Sequence, residues 1–157
     1  MLVYRLCSKE EIDRIFKEKD FTNVGTSGKE FIKEPGEDDL NTHFYESDKM
    51  YIHFFPKLVN LFYLYLEKGM YICYYDIPEE ILNSYIGKGE YLDFFVHQAH
   101  IMVDEFAIES KRINFDYLKQ VDLITKDIDI DDYFADESID DFCKTIYEEG
   151  KISSLRL

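Results

Sequence analysis

The stretch MYIHFFPKLVNLFYLYLEKGMYICYYDIP, from Met50 to Pro78, decides the fold. Its two ends, KMYIHFF and MYICYYDI, are rich in aromatic and β-branched side chains, which predicts a strand at each end. Between them, Pro56 suits the first turn of a helix, and apolar residues recur at helical spacing as far as Leu66. Apolar residues also occupy the other side of this helix, so we expect it to be largely buried, with Gly69 at its end.

The segments before this stretch predict one strand, one helix and one long loop. LVYRLC, at residues 2–7, has the composition of a short strand. Ser8 and Glu11 form the S-x-x-E pattern of a capping box, which predicts a helix running to about Lys19. Residues 21–49 are polar and irregular, with scattered glycines, and we expect them to form a mobile loop over a pocket.

The segments after it mix short strands with short helices. DEFAIES and QVDLIT predict strands, PEEIL and INFDYL predict helical turns, residues 138–149 predict an amphipathic helix, and KISSLRL predicts a frayed tail. Because strands and helices do not alternate regularly, the chain is predicted to be a single α+β domain over residues 1–157. We expect short mixed or antiparallel strands in a split sheet with packed helices. The acidic segment 127–137 and the helix 138–149 would form an appendage.

The charge balance limits the partners. The chain has 157 residues, with 33 Asp and Glu against 18 Lys and Arg, and a formal net charge of -15. An acidic surface repels nucleic acid and anionic membranes, so neither is an expected partner, except that a nucleic acid could still be an acceptor in a transfer reaction. An acidic protein can still bind a protein with a basic surface, and the alternative interpretation is that the charge serves only solubility. The early charges of MLVYRLCSKEE do not fit a signal peptide, and no apolar run reaches membrane-spanning length, so we expect a cytoplasmic protein.

Metal binding and nucleophilic catalysis find little support in the motifs. Cys7 and Cys73 lie in apolar runs and are expected to be small core residues, and no C-x-x-C spacing occurs. His97-x-x-His100 would place two imidazoles on one helical face, with Asp104 nearby, but zinc needs further ligands. The acidic run from residue 127 lacks the glycine and the glutamate that a calcium loop requires. No metal site is predicted, and no Walker, G-x-S-x-G or G-x-G-x-x-G motif is present.

Three separated elements carry the remaining pattern. They are Arg5 in VYRLC, the strand YIHF with its following helix, and Glu105 in DEFAIES. Together they resemble the ADP-ribosyltransferase-like superfamily, over roughly the first four-fifths of the chain. In that superfamily a basic residue of the first strand contacts the ribose or phosphate of NAD, a middle strand and its helix hold the nicotinamide, and a late strand supplies the catalytic glutamate.

The resemblance implies a role for five residues. Arg5 would contact NAD, Tyr51 and Phe62 would match the aromatic pair that clasps the nicotinamide, and His53 would join them from the same strand. Glu105 would be catalytic, because a carboxylate stabilises the positive charge that develops on the ribose as the nicotinamide bond breaks. NAD would then be the substrate, and ADP-ribose would be transferred to a macromolecular acceptor.

The sequence also departs from this pattern. IHFF stands in place of the family's serine motif, and Val103 stands where Arg-directed members carry a second glutamate. A degenerate member without activity therefore remains open. So does the alternative that the chain is a non-catalytic acidic interaction protein, of the inhibitor or immunity type, which binds a basic partner surface.

Overall fold

The computed structural model describes residues 1–30, 46–61, 66–84, 92–96, 101–129 and 139–155. Of these, residues 59–60, 82–84, 92–96, 101–106, 139–143 and 155 are described by their backbone alone. The strands are β1 Leu2–Cys7, β2 Thr26–Ser27, β3 Met50–Phe54, β4 Tyr71–Asp76, β5 Leu92–Val96, β6 Ile101–Glu109, β7 Leu118–Ile124 and β8 Ile152–Leu155. The α-helices are α1 Lys9–Glu18, α2 Leu58–Leu61, α3 Glu79–Ser84 and α4 Ile139–Glu148, and short 3-10 helices cover Gly28–Glu30, Ser110–Arg112 and Phe115–Tyr117.

The described strands form two four-stranded sheets. Within each sheet, neighbouring strands pair in antiparallel fashion. Sheet A has the order β1-β4-β7-β8, and sheet B has the order β2-β3-β6-β5. The sheets meet where Tyr4 and Phe55 exchange two backbone hydrogen bonds, of 2.8 Å and 2.7 Å. This arrangement confirms the predicted α+β class with a split sheet.

Each face of sheet A packs against its own apolar cluster. In β4, Cys73 and Tyr75 face a core shared with α1 and sheet B, where Tyr75 packs edge-on against Phe54 at a ring distance of 4.9 Å. The alternate residues of the same strand, Ile72 and Tyr74, face a second core shared with α2 and α4. Successive side chains of a strand point to opposite faces, so the continuous aromatic run of β4 supplies both cores.

Three predicted features differ from the structure. KISSLRL is not a frayed tail, because Ile152–Leu155 form β8 and pair with β7. The helix after Pro56 does not continue to Leu66, which is buried and bridges Ile128; Gly69 instead occupies the following turn with φ +95°. The 21–49 stretch contains β2 and a 3-10 helix, while residues 31–45 lie outside the described part of the chain.

Helix α4 is tied to sheet A by a buried carboxylate. Asp122 of β7 is fully buried and accepts hydrogen bonds from the hydroxyls of Tyr74 and Tyr147, at 2.7 Å and 2.9 Å, and from the amide of Gln120 at 2.8 Å. The two tyrosine hydroxyls also contact each other. Burial and the hydrogen bond with Tyr74 raise the pKa of Tyr147 far above its ordinary value. The hydrogen bond between Tyr147 and Asp122 holds α4 against sheet A.

We predict that Asp122→Ala lowers the free energy of unfolding by about 3 kcal/mol, because three buried or half-buried donors lose a charged acceptor. Tyr147→Phe should cost only about 1 kcal/mol, because Tyr74 and Gln120 still bind the carboxylate. Urea denaturation measures both values, with the exposed Asp48→Ala as a control that stays within about 0.5 kcal/mol of wild type. Equal effects of Asp122→Ala and Asp48→Ala would contradict this account of the helix attachment.

Candidate functional site

The site that contains Arg5 is built around a bidentate ion pair. Arg5 Nε donates to Glu11 Oε2 at 2.9 Å, and Arg5 Nη2 donates to Glu11 Oε1 at 2.6 Å. The two side chains are 17% and 15% exposed, so water screens the pair only weakly. Burial disfavours the Glu11 carboxylate, but the hydrogen bonds and charge of Arg5 outweigh it and lower the pKa of Glu11.

The first turn of α1 places Glu11 beside Arg5. Ser8 Oγ accepts the backbone N–H of Glu11 at 3.2 Å, which is one half of the predicted capping box. The Glu11 carboxylate, however, pairs with Arg5, which lies on the neighbouring strand. The S-x-x-E pattern therefore located the helix start correctly, but the glutamate of the pattern has a tertiary partner.

Arg5 also joins the two sheets. Its Nη1 donates to the backbone carbonyl of His53 in β3 at 3.2 Å. Burial, followed by the positive charge of Arg5, lowers the pKa of His53 to about 4, so this imidazole is neutral at pH 7. The structure thus brings together two of the residues assigned to NAD, Arg5 and His53, through a backbone carbonyl.

Two thiols and a tyrosine lie on the inner side of this pair. Cys7 and Cys73 are fully buried, with their Sγ atoms 3.6 Å apart, as expected for core cysteines. Burial and the contact with Cys73 raise the pKa of Cys7, so its thiolate does not form at neutral pH. Tyr75 is also fully buried, and its hydroxyl has no hydrogen-bond partner in the described part of the chain. Sequence reasoning missed this polar group, because Tyr75 belongs to an aromatic run typical of a core strand.

Tyr51 supports a turn on the far side of β3. Its ring is buried, and its hydroxyl accepts the backbone N–H of Glu46 at 3.0 Å. The backbone approaches closely here, because a Cβ at Gly28 would lie 1.9 Å from the carbonyl oxygen of Glu46. Tyr51 therefore packs beneath the 46–49 turn, and the described contacts of its hydroxyl are structural.

The side chains of the other two predicted site residues, Phe62 and Glu105, lie outside the described part of the chain. Phe62 lies outside the described residues, as do His97 and His100. Glu105 lies in β6, where its backbone pairs with Leu92 of β5, and its side chain lies outside the described part of the chain. β6 pairs with β3 from Tyr51 to Phe54, and Phe55, the residue directly after β3, bridges Tyr4 of β1.

Glu11 connects the ion pair with the surface. A pocket of about 240 Å³ adjoins the first turns of α1. Its lining residues are Glu10, Glu11, Arg14, Asn23, Val24 and Gly25. Glu11 therefore lies in the pocket wall, although both oxygens of its carboxylate accept hydrogen bonds from Arg5.

Comparison with known proteins gives no relative. No protein-family model matches the chain, and neither a curated protein nor a solved structure shows significant similarity to it. Among the described residues, no helix is long and apolar enough to cross a bilayer, and no three His, Cys, Asp or Glu side chains are grouped as metal ligands would be.

We predict that Arg5→Ala lowers the free energy of unfolding by about 3 to 5 kcal/mol, because it leaves a largely buried carboxylate without its partner. The double variant Arg5→Met/Glu11→Leu should recover most of this loss, since no unpaired charge remains. Arg14→Ala is a matched control, because Arg14 pairs with Glu18 on the same helix but both are 43% exposed. Urea denaturation should give less than about 1 kcal/mol for that control. A comparably small loss for Arg5→Ala would show that solvent screens the buried pair as well.

A second prediction concerns the pH dependence of stability. The pKa of His53 is depressed in the folded protein. Between pH 6.5 and pH 4, His53 therefore binds a proton in the unfolded chain but stays neutral in the folded protein. Stability should therefore fall as the pH drops from 6.5 towards 4, by about 2 kcal/mol between pH 7 and pH 5. His53→Gln should remove this loss, as measured by urea denaturation at both values. The other three histidines are common to both proteins, so an unchanged pH dependence in the variant would contradict the assignment.

Proposed function

We propose that the protein is a non-catalytic acidic interaction protein, of the inhibitor or immunity type, which covers a basic surface of a partner protein. The observation that carries this proposal is the distribution of charge along the chain. Residues 127–141, DIDIDDYFADESIDD, contain eight Asp and Glu and no Lys or Arg. Blocks of like charge of this kind commonly act as interaction segments.

The pairing of the basic side chains supports the same function. Six cations on the described surface lie within 4 Å of a neighbouring carboxylate. The pairs are Lys9–Asp13, Arg14–Glu18, Lys49–Glu46, Lys111–Glu109, Lys144–Glu148 and Lys151–Glu149. Each pair cancels most of its own field at a distance, so the excess carboxylates set the potential that a partner meets. That potential favours rapid encounter with a basic surface.

The state of Arg5 also supports a non-catalytic role. All three of its donor nitrogens are engaged, two by Glu11 and one by the carbonyl of His53. A phosphate of NAD would have to displace Glu11 and leave that carboxylate unpaired in a largely buried position, which is costly. The bidentate geometry is the one that arginine prefers for a stable carboxylate partner.

The second candidate is an NAD-binding, ADP-ribosyltransferase-like protein. The observation that supports it is that Tyr4 bridges Phe55 while the preceding residue, Phe54, pairs with Phe106, because Arg5 follows Tyr4 and Glu105 precedes Phe106 in sequence. In this function Glu105 would stabilise the ribosyl cation as ADP-ribose is transferred to its acceptor.

One set of variants separates the two functions. In the acidic-run variant, Asp131, Asp132, Asp136 and Glu137 are changed to Asn or Gln. In the control, the exposed residues Glu10, Glu67, Glu79 and Glu80 become Gln, so the net charge changes by the same amount. We expect wild type and control to retain a partner with a basic surface in a pull-down at low salt. The acidic-run variant should lose that partner, as should wild type at about 0.5 M salt, where charges are screened beyond a few ångströms.

Two results would count against the interaction function, and the second of them would favour the NAD-binding candidate. Equal loss of the partner in both charge variants would mean that only net charge matters and no specific surface exists. Heat of NAD binding by calorimetry, retained in Glu105→Gln while transferase turnover falls about a hundredfold, would replace the interaction function with the catalytic one.

A further inference from the structure

A second pocket collects positive charge on this acidic protein. It has a volume of about 350 Å³ and lies between the end of α1 and the segment that connects β6 to β7. Three cations, one carboxylate and two aromatic rings contribute to its wall: Lys19, Lys111, Arg112, Asp20, Phe115 and Tyr117. The local excess of positive charge contrasts with the net charge of -15 of the whole chain.

Lys19 is held in the pocket by aromatic rings. Its ammonium lies over the ring of Phe115, 4.4 Å from the centroid, and 5.5 Å from the centroid of Phe16. The two rings pack edge to face at 5.7 Å, which fixes their positions. Among the described residues, no carboxylate lies within ion-pair distance of Lys19, in contrast to the six cations that pair with a neighbouring acid. Its charge is therefore stabilised by a cation–π contact but not neutralised.

The backbone fixes the other wall of the pocket. Ser110 is fully buried, and its Oγ donates to the carbonyl of Val24 at 2.6 Å, which anchors the 3-10 helix Ser110–Arg112. Asn114 Oδ1 accepts the N–H of Asp116 at 2.9 Å and starts the next turn, which carries the two aromatic residues. These local hydrogen bonds hold the cations and the rings at fixed places around one concavity.

The ion pair of Lys111 does not close the pocket. Lys111 Nζ lies 3.1 Å from Glu109 Oε1, but the lysine side chain is 65% exposed. Glu109 is only 16% exposed, but it also lies 3.9 Å from Lys49 Nζ, so this carboxylate keeps a cation when the exposed Lys111 ammonium turns to another anion. Charges more than about 10 Å away are largely screened at 0.1 M salt, so the acids elsewhere on the surface do not cancel cations that touch a ligand.

We propose that this pocket binds a small phosphorylated molecule, with the phosphate held by Lys19 and Lys111 and the rest of the molecule against Phe115 and Tyr117. A phosphate dianion offers several acceptor oxygens and can satisfy more than one cation at once. The volume falls in the range of small-molecule pockets and exceeds what a single phosphate group needs. This inference is independent of the proposed interaction function, because the pocket and the acidic run share no residue.

The test is calorimetric titration of the full chain with three probes: phenyl phosphate, inorganic phosphate and phenol. We expect phenyl phosphate to bind more tightly than inorganic phosphate and phenol to give no measurable heat, since the anion provides most of the attraction. Lys19→Gln and Lys111→Gln should each weaken phenyl phosphate about tenfold, as loss of a charged hydrogen bond does. Lys144→Gln removes a similarly exposed lysine outside the pocket, which also has a carboxylate neighbour, and this control should leave binding unchanged.

Two results would overturn the proposal. One is the absence of heat with both phosphate probes at millimolar concentration. The other is equal weakening by Lys144→Gln and Lys111→Gln, which would show that any lysine contributes through net charge alone. Because Lys111 is mostly exposed, its variant should keep the fold, and circular dichroism of each variant confirms that a loss of binding is local.

Discussion

The contact between Arg5 and Glu11 is the constraint on which the arrangement of the two sheets depends. A guanidinium cannot lose its charge, so an arginine that faces the core requires a carboxylate nearby and acceptors for its remaining donors. Glu11 supplies the carboxylate from the first turn of α1, and His53 supplies a carbonyl from β3. One side chain thereby fixes a strand of sheet A, the helix that covers it and a strand of sheet B. The adjacent residue, Tyr4, makes the backbone contact with Phe55 at the same junction.

Most elements could be predicted because their signals are local. The aromatic, β-branched run of β4 and the serine before α1 act within a few residues, and both elements lie where these signals place them. β8 could not be predicted, because ISSL has no strong strand propensity and its pairing with β7 is decided by tertiary contact. Leu66 was misassigned for a related reason. Apolar spacing fits a buried bridge as well as a helix, and the bridge partner, Ile128, lies 62 positions further along the sequence.

The candidate site was harder to predict than the fold, because its chemistry depends on which charges meet. Sequence reasoning selected Arg5 as a free phosphate ligand, and nothing in VYRLC indicates that Glu11 will occupy its donors. The capping-box pattern even assigned Glu11 another partner. His53 likewise becomes a neutral, largely structural group only because burial and Arg5 lower its pKa. Each of these properties arises from a neighbour across a gap in sequence, which composition and periodicity cannot supply.

The proposed protein partner and the proposed phosphorylated ligand would meet the charge of this protein at different distances. The acidic run at residues 127–141 contributes to a field that a large partner meets before contact, within a Debye length of about 10 Å. The pocket beside Lys19 acts only on a ligand that touches it, because its three cations are few against the acidic total. Six described surface cations pair with neighbouring carboxylates, and Arg5 pairs with Glu11 beside the core. Lys19 differs because an aromatic ring holds its ammonium without neutralising it. A cation fixed in this way keeps its capacity to bind an anion, because the ring stabilises its charge without supplying a counter-charge.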